Sequence, residues 1–465
     1  MRRPPLPLIR RELYDLMRVA LPLILAQIAQ MSMSFVDTLM AGRLGQDALA
    51  GIALGSVVFG VVSIMSMGVL FSVAPLVSQA HGGGDAHQVG RAARQGIWLA
   101  MLLSVPGFAL FLGIEPILLA TGQEPASAAL AAGYLGAAAF GFLPSLLLIA
   151  LRGFLEGLSD TRPIMVILFV GIALNVLANN ALMFGRWGFP ELGLVGTGVA
   201  TALVYSVMAI CAAVYVATRY RSYRVLRGLR RPDPSVLREL FRVGWPIGLT
   251  LGFEGSLFAF TALLMGLFGQ AALAGHQIAV QAASVTFMVP VGLSIATGVR
   301  VGQAVGRRDP VAVRRAGLSG IAASVAFMLV TAALFRFAPM PIIAAFLDVH
   351  DPANAAAVRF AASFLGIAAL FQVVDGIQVS AAGALRGLRD TRAPMLISLI
   401  SYWFVGMTVA AVLAFPLGWE GEGLWTGLVA GLGLAAVLLL WRFLRLADRA
   451  RAPRTPAAPA VDAVR

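Results

Sequence analysis

The chain alternates long apolar runs with short polar connections. Twelve runs stand out, at residues 17–39, 51–78, 91–113, 130–151, 163–184, 193–218, 240–263, 272–301, 315–337, 358–382, 394–415 and 421–444. A membrane-crossing helix needs roughly 20 apolar residues, so each run predicts one span. The runs are continuous, without the apolar–polar alternation of barrel strands, so helices are expected rather than a closed barrel.

The pattern occurs twice. Residues 18–51 align without a gap on residues 242–275 at an offset of 224, with 13 of 34 positions identical. At the same offset the segment from Ser78-Gln79-Ala80 to Arg91 returns as Gly302-Gln303-Ala304 to Arg315, keeping Gly82 and Asp85 as Gly306 and Asp309. GLSDTR at 157–162 returns as GLRDTR at 387–392. Each half holds six spans, an even number, so both copies enter the membrane the same way round. Parallel repeats of this kind enclose a cleft between them, which is a transporter design. The expected division is an N-terminal lobe at 1–218, a basic linker at 219–238, a C-terminal lobe at 239–446 and a disordered Pro/Ala-rich tail at 447–465.

Composition agrees with this pattern. Of 465 residues 59% are hydrophobic and only 12% charged, against about 25% charged in soluble domains. All basic residues are Arg, and the net charge is +13. With the N-terminus inside, the inner connections and tails hold 31 arginines and the outer face four: Arg43, Arg186, Arg336 and Arg359. That asymmetry places both termini in the cytoplasm and accounts for the charge without nucleic acid. The basic N-terminus resembles a signal peptide in outline, but its apolar run is too long, and it reads as an uncleaved first span. The segment 219–238 is a topology signal and linker, able to contact anionic lipid headgroups. The single Cys211 excludes a disulfide within the chain. The four histidines are scattered without metal spacing, His276 reading as a packing or capping residue at the outer start of the eighth span.

Against this apolar background the few acidic residues inside spans mark the candidate chemistry, because an ionisable group in hydrocarbon is costly and normally faces a cavity or partner. Glu254 lies about 18 Å above Arg242, and Asp375 about 16 Å above Arg386, at 1.5 Å per helical residue. The two carboxylates reach similar depth. Such a pair holds a proton near neutral pH or a cation such as sodium. In the other half Asp37 lies about 28 Å above Arg18, with Asn179 and Thr201 at similar height. Asn175 and Asn179 share one helix face. Asp37, Asn179 and Thr201 are expected to meet. The copies are not equivalent: Glu254 aligns with Gln30, Asp37 with Thr261, and Asp375 with Ser145. Phe253, Phe287, Met288 and Phe371 are candidates for an aromatic cleft for flat apolar cations.

ALPLILAQIAQMSMSFVDTLMAGRLG, LAGHQIAVQ, FMVPVGLSIATGVRVGQAVGRRD and LRGLRDTRAPM together resemble the multidrug and toxic compound extrusion (MATE) family, NorM-type subgroup, over nearly the whole chain. The resemblance implies two six-helix lobes in a V, alternating access, and export of cationic amphiphilic drugs against inward sodium ions or protons. It implies ion-coupling roles for Glu254, Asp375 and Asp37, and places Asn175, Asn179 and Thr201 on polar positions of an N-lobe cation site. Phe371 stands where some sodium-coupled relatives carry tyrosine, and Asn179 where others carry aspartate, so the ion stays open. The expected protein is a monomeric, multi-pass antiporter of a bacterial inner membrane, with no cofactor beyond its coupling ion and no nucleic-acid partner. A lipid-linked precursor flippase is the alternative; scarcity of arginine within the spans argues against it. No nucleophile–base pair, metal motif or sizeable aqueous domain points to an enzyme, and a passive channel is the remaining rival.

Overall fold

The computed structural model describes residues 6–449 apart from 45, 227, 228, 230 and 231. Among these, twelve helical segments are long and apolar enough to cross a membrane. The first lobe contains α1 (Leu6–Ala41), α2 (Gln46–Leu70) with α3 (Val73–Gly82), α4 (Ala86–Leu112), the short α5 (Ile114–Ala120), α6 (Pro125–Gly157), α7 (Arg162–Met183) and α8 (Gly193–Arg219). The second contains α9 (Pro234–Gly266), α10 (Gln270–Gly306), α11 (Pro310–Phe337), the short α12 (Pro339–Ala344), α13 (Ala355–Gly387), α14 (Arg392–Leu399), α15 (Met407–Ala414) and α16 (Glu420–Arg449).

Several helices outrun their apolar segments. α9 begins at Pro234, six residues before its apolar run, and so takes in the end of the expected linker. Hydropathy reports only the part that crosses hydrocarbon, whereas the helix continues as long as a cap or a proline permits. Asp233 supplies that cap, accepting from the Ser235 and Val236 amides. The repeated Asp85 and Asp309 do the same for α4 and α11, each accepting an amide three residues on at 2.9 Å. The second span is broken after Leu70, where the Ser72 hydroxyl donates to the Val69 carbonyl. The eleventh passes through a π-helical turn at Ile400–Gly406. The tail lies outside the described residues from 450 onward.

Asp233 also accepts from Arg91 of α4. The Ser235 hydroxyl foremost, and then Arg91, hold its carboxyl below the usual 3.8. A depressed carboxylate contributes stability above the unfolded-state pKa and loses it as pH falls through the folded-state value. Wild type should therefore melt above Asp233→Asn at neutral pH, with the two curves converging only below pH 3.8. A thermal-shift series against pH checks this; an unchanged gap throughout would contradict it.

The lobes meet at the face that bears the N-terminus. Leu16, Val19, Ala20, Leu23 and Ile24 of α1 form one apolar cluster with Leu293 and Ala296 of α10. Val236, Leu240 and Val243 of α9 join the core of the first lobe. Beyond this level each lobe has its own core, the second built around Trp425, Phe364 and Leu365. The result is a V, closed at the terminal face and diverging toward the other.

The closure is twofold symmetric. Gln79 Nε2 of α3 donates to the Gly387 carbonyl at the end of α13 at 2.8 Å. Its repeat partner Gln303 of α10 donates to the Gly157 carbonyl at the end of α6 at 3.0 Å and to Ser159 Oγ at 2.9 Å. Helix-terminal carbonyls lack intrahelical partners, and each lobe satisfies one belonging to the other. Glu12 strengthens the same seam, accepting from Arg300 and Arg315 of the second lobe.

Candidate functional site

The first lobe gathers its polar site around Asp37. Asn175 and Asn179, one turn apart on α7, both donate to Asp37 Oδ1, at 3.0 and 2.7 Å. The two asparagines are buried, and each keeps its own carbonyl oxygen without a donor. Tyr134 of α6 and Tyr205 of α8 lie within electrostatic reach of Asp37. Among the described residues Thr201 makes no hydrogen bond to Asp37. Its hydroxyl donates to the Thr197 carbonyl at 2.9 Å, the back-bond that helical threonines make to their own turn.

The second lobe places Asp375 on α13, with 3% of its surface exposed. Glu254 of α9 is half-buried and within its electrostatic reach, so the two carboxylates share one region. Gln372, Asp375 and Gln378 follow at intervals of three along α13 and so lie on one side of it. Gln372 Nε2 donates to Thr286 of α10 and Thr331 of α11. Gln378 Nε2 donates to the Tyr402 hydroxyl at 2.7 Å. Tyr402 belongs to the π turn and also faces Glu254 and Asp375 electrostatically. A π turn inserts a residue and re-aims side chains, often at working sites. With the amides committed as donors, Asp375 Oδ1, Gln372 Oε1 and Gln378 Oε1 are buried acceptors with no donor.

The site sits just above the seam. Gly252 of α9 faces Met65 of α2, and Glu254 comes two residues further from the terminal face. Phe253, Phe287 and Met288 are partly exposed around this level. Phe371, expected to line the cleft, is instead 3% exposed. It packs edge-on against Phe258 at 6.0 Å and Trp425 at 5.9 Å. Its place in the core of the second lobe follows from α16 covering that side of α13. His276 is also buried, edge-on to Trp425 at 5.7 Å.

Two arginines were read as topology signals but bond inward to the structure. Arg152 of α6 is 7% exposed; its Nε donates to Glu156 at 2.6 Å and its Nη2 to Gln27 Oε1 at 2.6 Å. Arg386 of α13 donates from Nη2 to Ser294 Oγ at 2.8 Å. Both fall beyond the ends of their apolar runs, where arginine normally anchors a span at the interface. The alignment of the repeats held the signal: Arg386 corresponds to Glu156, and Glu254 to Gln30.

This is a helical, polytopic membrane protein of duplicated build, with a carboxylate pair, Glu254 and Asp375, in the second lobe and a single carboxylate, Asp37, held by two asparagines in the first. Residues 22–180 and 246–412 match the MatE family. A NorM relative from Deinococcus radiodurans is 43% identical over 433 residues, covering 93% of this chain and 95% of its own. One from Pseudomonas aeruginosa is 41% identical over 452 residues, covering 96% and 93%. Both carry the name probable multidrug resistance protein. The eukaryotic MATE transporter AtDTX14 has the same fold, with a TM-score of 0.81 at 21% identity over 95% of this chain and 99% of its own. An outward-facing multidrug resistance MATE transporter matches at a TM-score of 0.85 and 19% identity, covering 95% and 97%. The chain belongs to the MatE family, and within it resembles the NorM type.

Proposed function

We propose that this protein is a multidrug efflux transporter that exports cationic amphiphilic compounds by secondary antiport, in exchange for sodium ions or protons. Efflux follows from family membership and from the NorM relatives; it is transport, not enzymatic turnover. The reading of antiport rests on one observation, the orphaned acceptors around Asp375. Buried acceptors without donors are costly, and a proton or an oxygen-seeking cation relieves that cost. Glu254, Asp375, Gln378 and the Tyr402 hydroxyl form an oxygen-only donor set, which suits a hard cation. Asp37 with the free carbonyls of Asn175 and Asn179 is a second such set.

In this reading ion binding at Glu254 and Asp375 favours one arrangement of the lobes and drug binding the other, which is what coupling requires. The arginine-rich terminal face lies in the cytoplasm of the bacterial inner membrane, so the cleft opens outward. Each chain encloses its own cleft and works as a monomer. A lipid flippase is less well supported, because the NorM relatives are multidrug resistance proteins. The scarcity of arginine no longer argues against it, since Arg152 and Arg386 lie at the seam. Glu254→Gln and Asp375→Asn, expressed at equal level in efflux-deficient cells, should each lose drug resistance. Resistance equal to wild type would refute the coupling role.

A further inference from the structure

Arg386 has no role in the reading so far, yet its surroundings tie it to Glu254. A cavity of about 20 Å³ is lined by Ile247, Thr250 and Leu251 of α9, Ala382 and Arg386 of α13, and Thr391 and Pro394 beyond it. Glu254 is one turn above Thr250 and Leu251 on the same helix, a step of about 5–6 Å. The arginine thus lines a small space that ends one turn below the carboxylate within the second lobe. Arg386 is fixed there: its Nη2 donates to Ser294 Oγ, and Ser294 in turn donates to the Val379 carbonyl at 2.6 Å. Ser294 is wholly buried. The guanidinium therefore travels with the second lobe.

Arg386 also stands at the seam: it precedes Gly387, whose carbonyl accepts from Gln79 of the first lobe, as Glu156 precedes Gly157, whose carbonyl accepts from Gln303 of the second. The charged groups facing Arg386 are Glu254 of α9 in its own lobe and Glu156 of α6 in the other. The groups facing Glu254 are Arg386 and Asp375 of α13, with Tyr402 of the π turn. Glu156 is already bonded to Arg152. The repeats thus place opposite charges, Glu156 and Arg386, at equivalent positions on the two sides of the seam.

We propose that Arg386 is a tethered counter-cation that helps expel the coupling ion from Glu254 when the seam opens. With the seam closed, its charge is shared between Glu254 and Glu156. When the lobes part at this face, Glu156 leaves with the first lobe. Arg386 stays with Glu254 in the second lobe, and its whole field then acts on that carboxylate. A fixed positive charge held below the carboxylate opposes binding of a proton and of sodium alike, and weakly screened surroundings strengthen the effect. Ion affinity thereby falls in the conformation that exposes the site to the terminal face, which gives release there a direction. Arg386 is a positioning residue, acting on the ion through Glu254.

This inference rests on the coupling role of Glu254, and its test separates the two. Wild type and variants are purified and reconstituted, and tetraphenylphosphonium transport is measured against sodium at fixed pH and against pH without sodium. Arg386→Gln should reach half-maximal transport at about tenfold lower concentration of the coupling ion, with a reduced maximum rate because release is slowed. The sodium and pH series show which ion moves. Arg386→Lys keeps the charge and should restore the wild-type midpoint. Glu156→Gln frees Arg386 to act on Glu254 in both conformations and should raise the midpoint. If Arg386→Gln does not accumulate, the Glu156→Gln and Arg386→Lys midpoints decide. An unshifted midpoint in Arg386→Gln, or in Glu156→Gln when that variant decides, would overturn the proposal while Glu254→Gln still loses coupling. Full coupling in Glu254→Gln would instead remove the reading beneath it.

Discussion

Gly82→Leu is expected to force the closed seam apart. A β-carbon at position 82 would stand 2.1 Å from the Gln303 carbonyl oxygen. That oxygen is backbone within α10, so no rotamer change relieves the clash. Gly306 is its repeat counterpart, and a β-carbon there would stand 2.1 Å from the Gln79 carbonyl oxygen. Both glycines flank the glutamines that latch the lobes, so the wedge also lengthens those hydrogen bonds. Overpacking of this kind costs about 1–3 kcal/mol. Charged to one arrangement of the lobes only, it shifts their populations by about 5- to 150-fold. Transport should fall accordingly, because an antiporter must visit the closed-seam state in every cycle. A cysteine at Leu76, which lines the cavity of about 320 Å³ at the seam, reports the opening. In a Cys211→Ser background in detergent, Leu76→Cys should react with a charged maleimide much faster when Gly82→Leu is present. Equal labelling rates would show that the seam accommodates the leucine.

The second large effect is on stability. Asp37→Leu removes the acceptor for both Asn175 and Asn179, which are 1% and 0% exposed. Each buried amide left without its partner costs about 1–3 kcal/mol. Two together make about 2–6 kcal/mol, a large share of the 5–15 kcal/mol that holds a typical domain. Asp37→Asn keeps a carbonyl that can accept from the amides, so its loss should be clearly smaller. Thermal unfolding in detergent orders the three proteins as wild type, Asp37→Asn, Asp37→Leu. Equal melting of the two variants would mean that the acceptor contributes nothing.

Much of this arrangement was legible in the sequence. Apolar runs located all twelve spans because hydrocarbon accepts little else. Counting residues from interfacial arginines placed Glu254 beside Asp375 and Asp37 level with Asn179, because helical rise is nearly constant. What escaped depends on tertiary packing. Thr201 turned to its own backbone, a choice invisible to height. Phe371 went into the core because α16 covers it, and hydropathy does not say which side of a helix a neighbour covers. Arg386 and Arg152 sat where arginine ordinarily anchors a span, so the inward hydrogen bonds they make gave no compositional sign. The break after Leu70 and the π turn at Ile400–Gly406 change backbone geometry without altering hydropathy.

The most direct measurement is of ion movement triggered by substrate. Purified protein in proteoliposomes is loaded with a sodium gradient or a pH gradient, each alone, and tetraphenylphosphonium is added. Wild type should release one of the two ions down its gradient on addition of the compound, and Glu254→Gln with Asp375→Asn should not. Uphill substrate movement with neither ion following, or ion release undiminished in the doubly neutralised protein, would contradict antiport through these carboxylates.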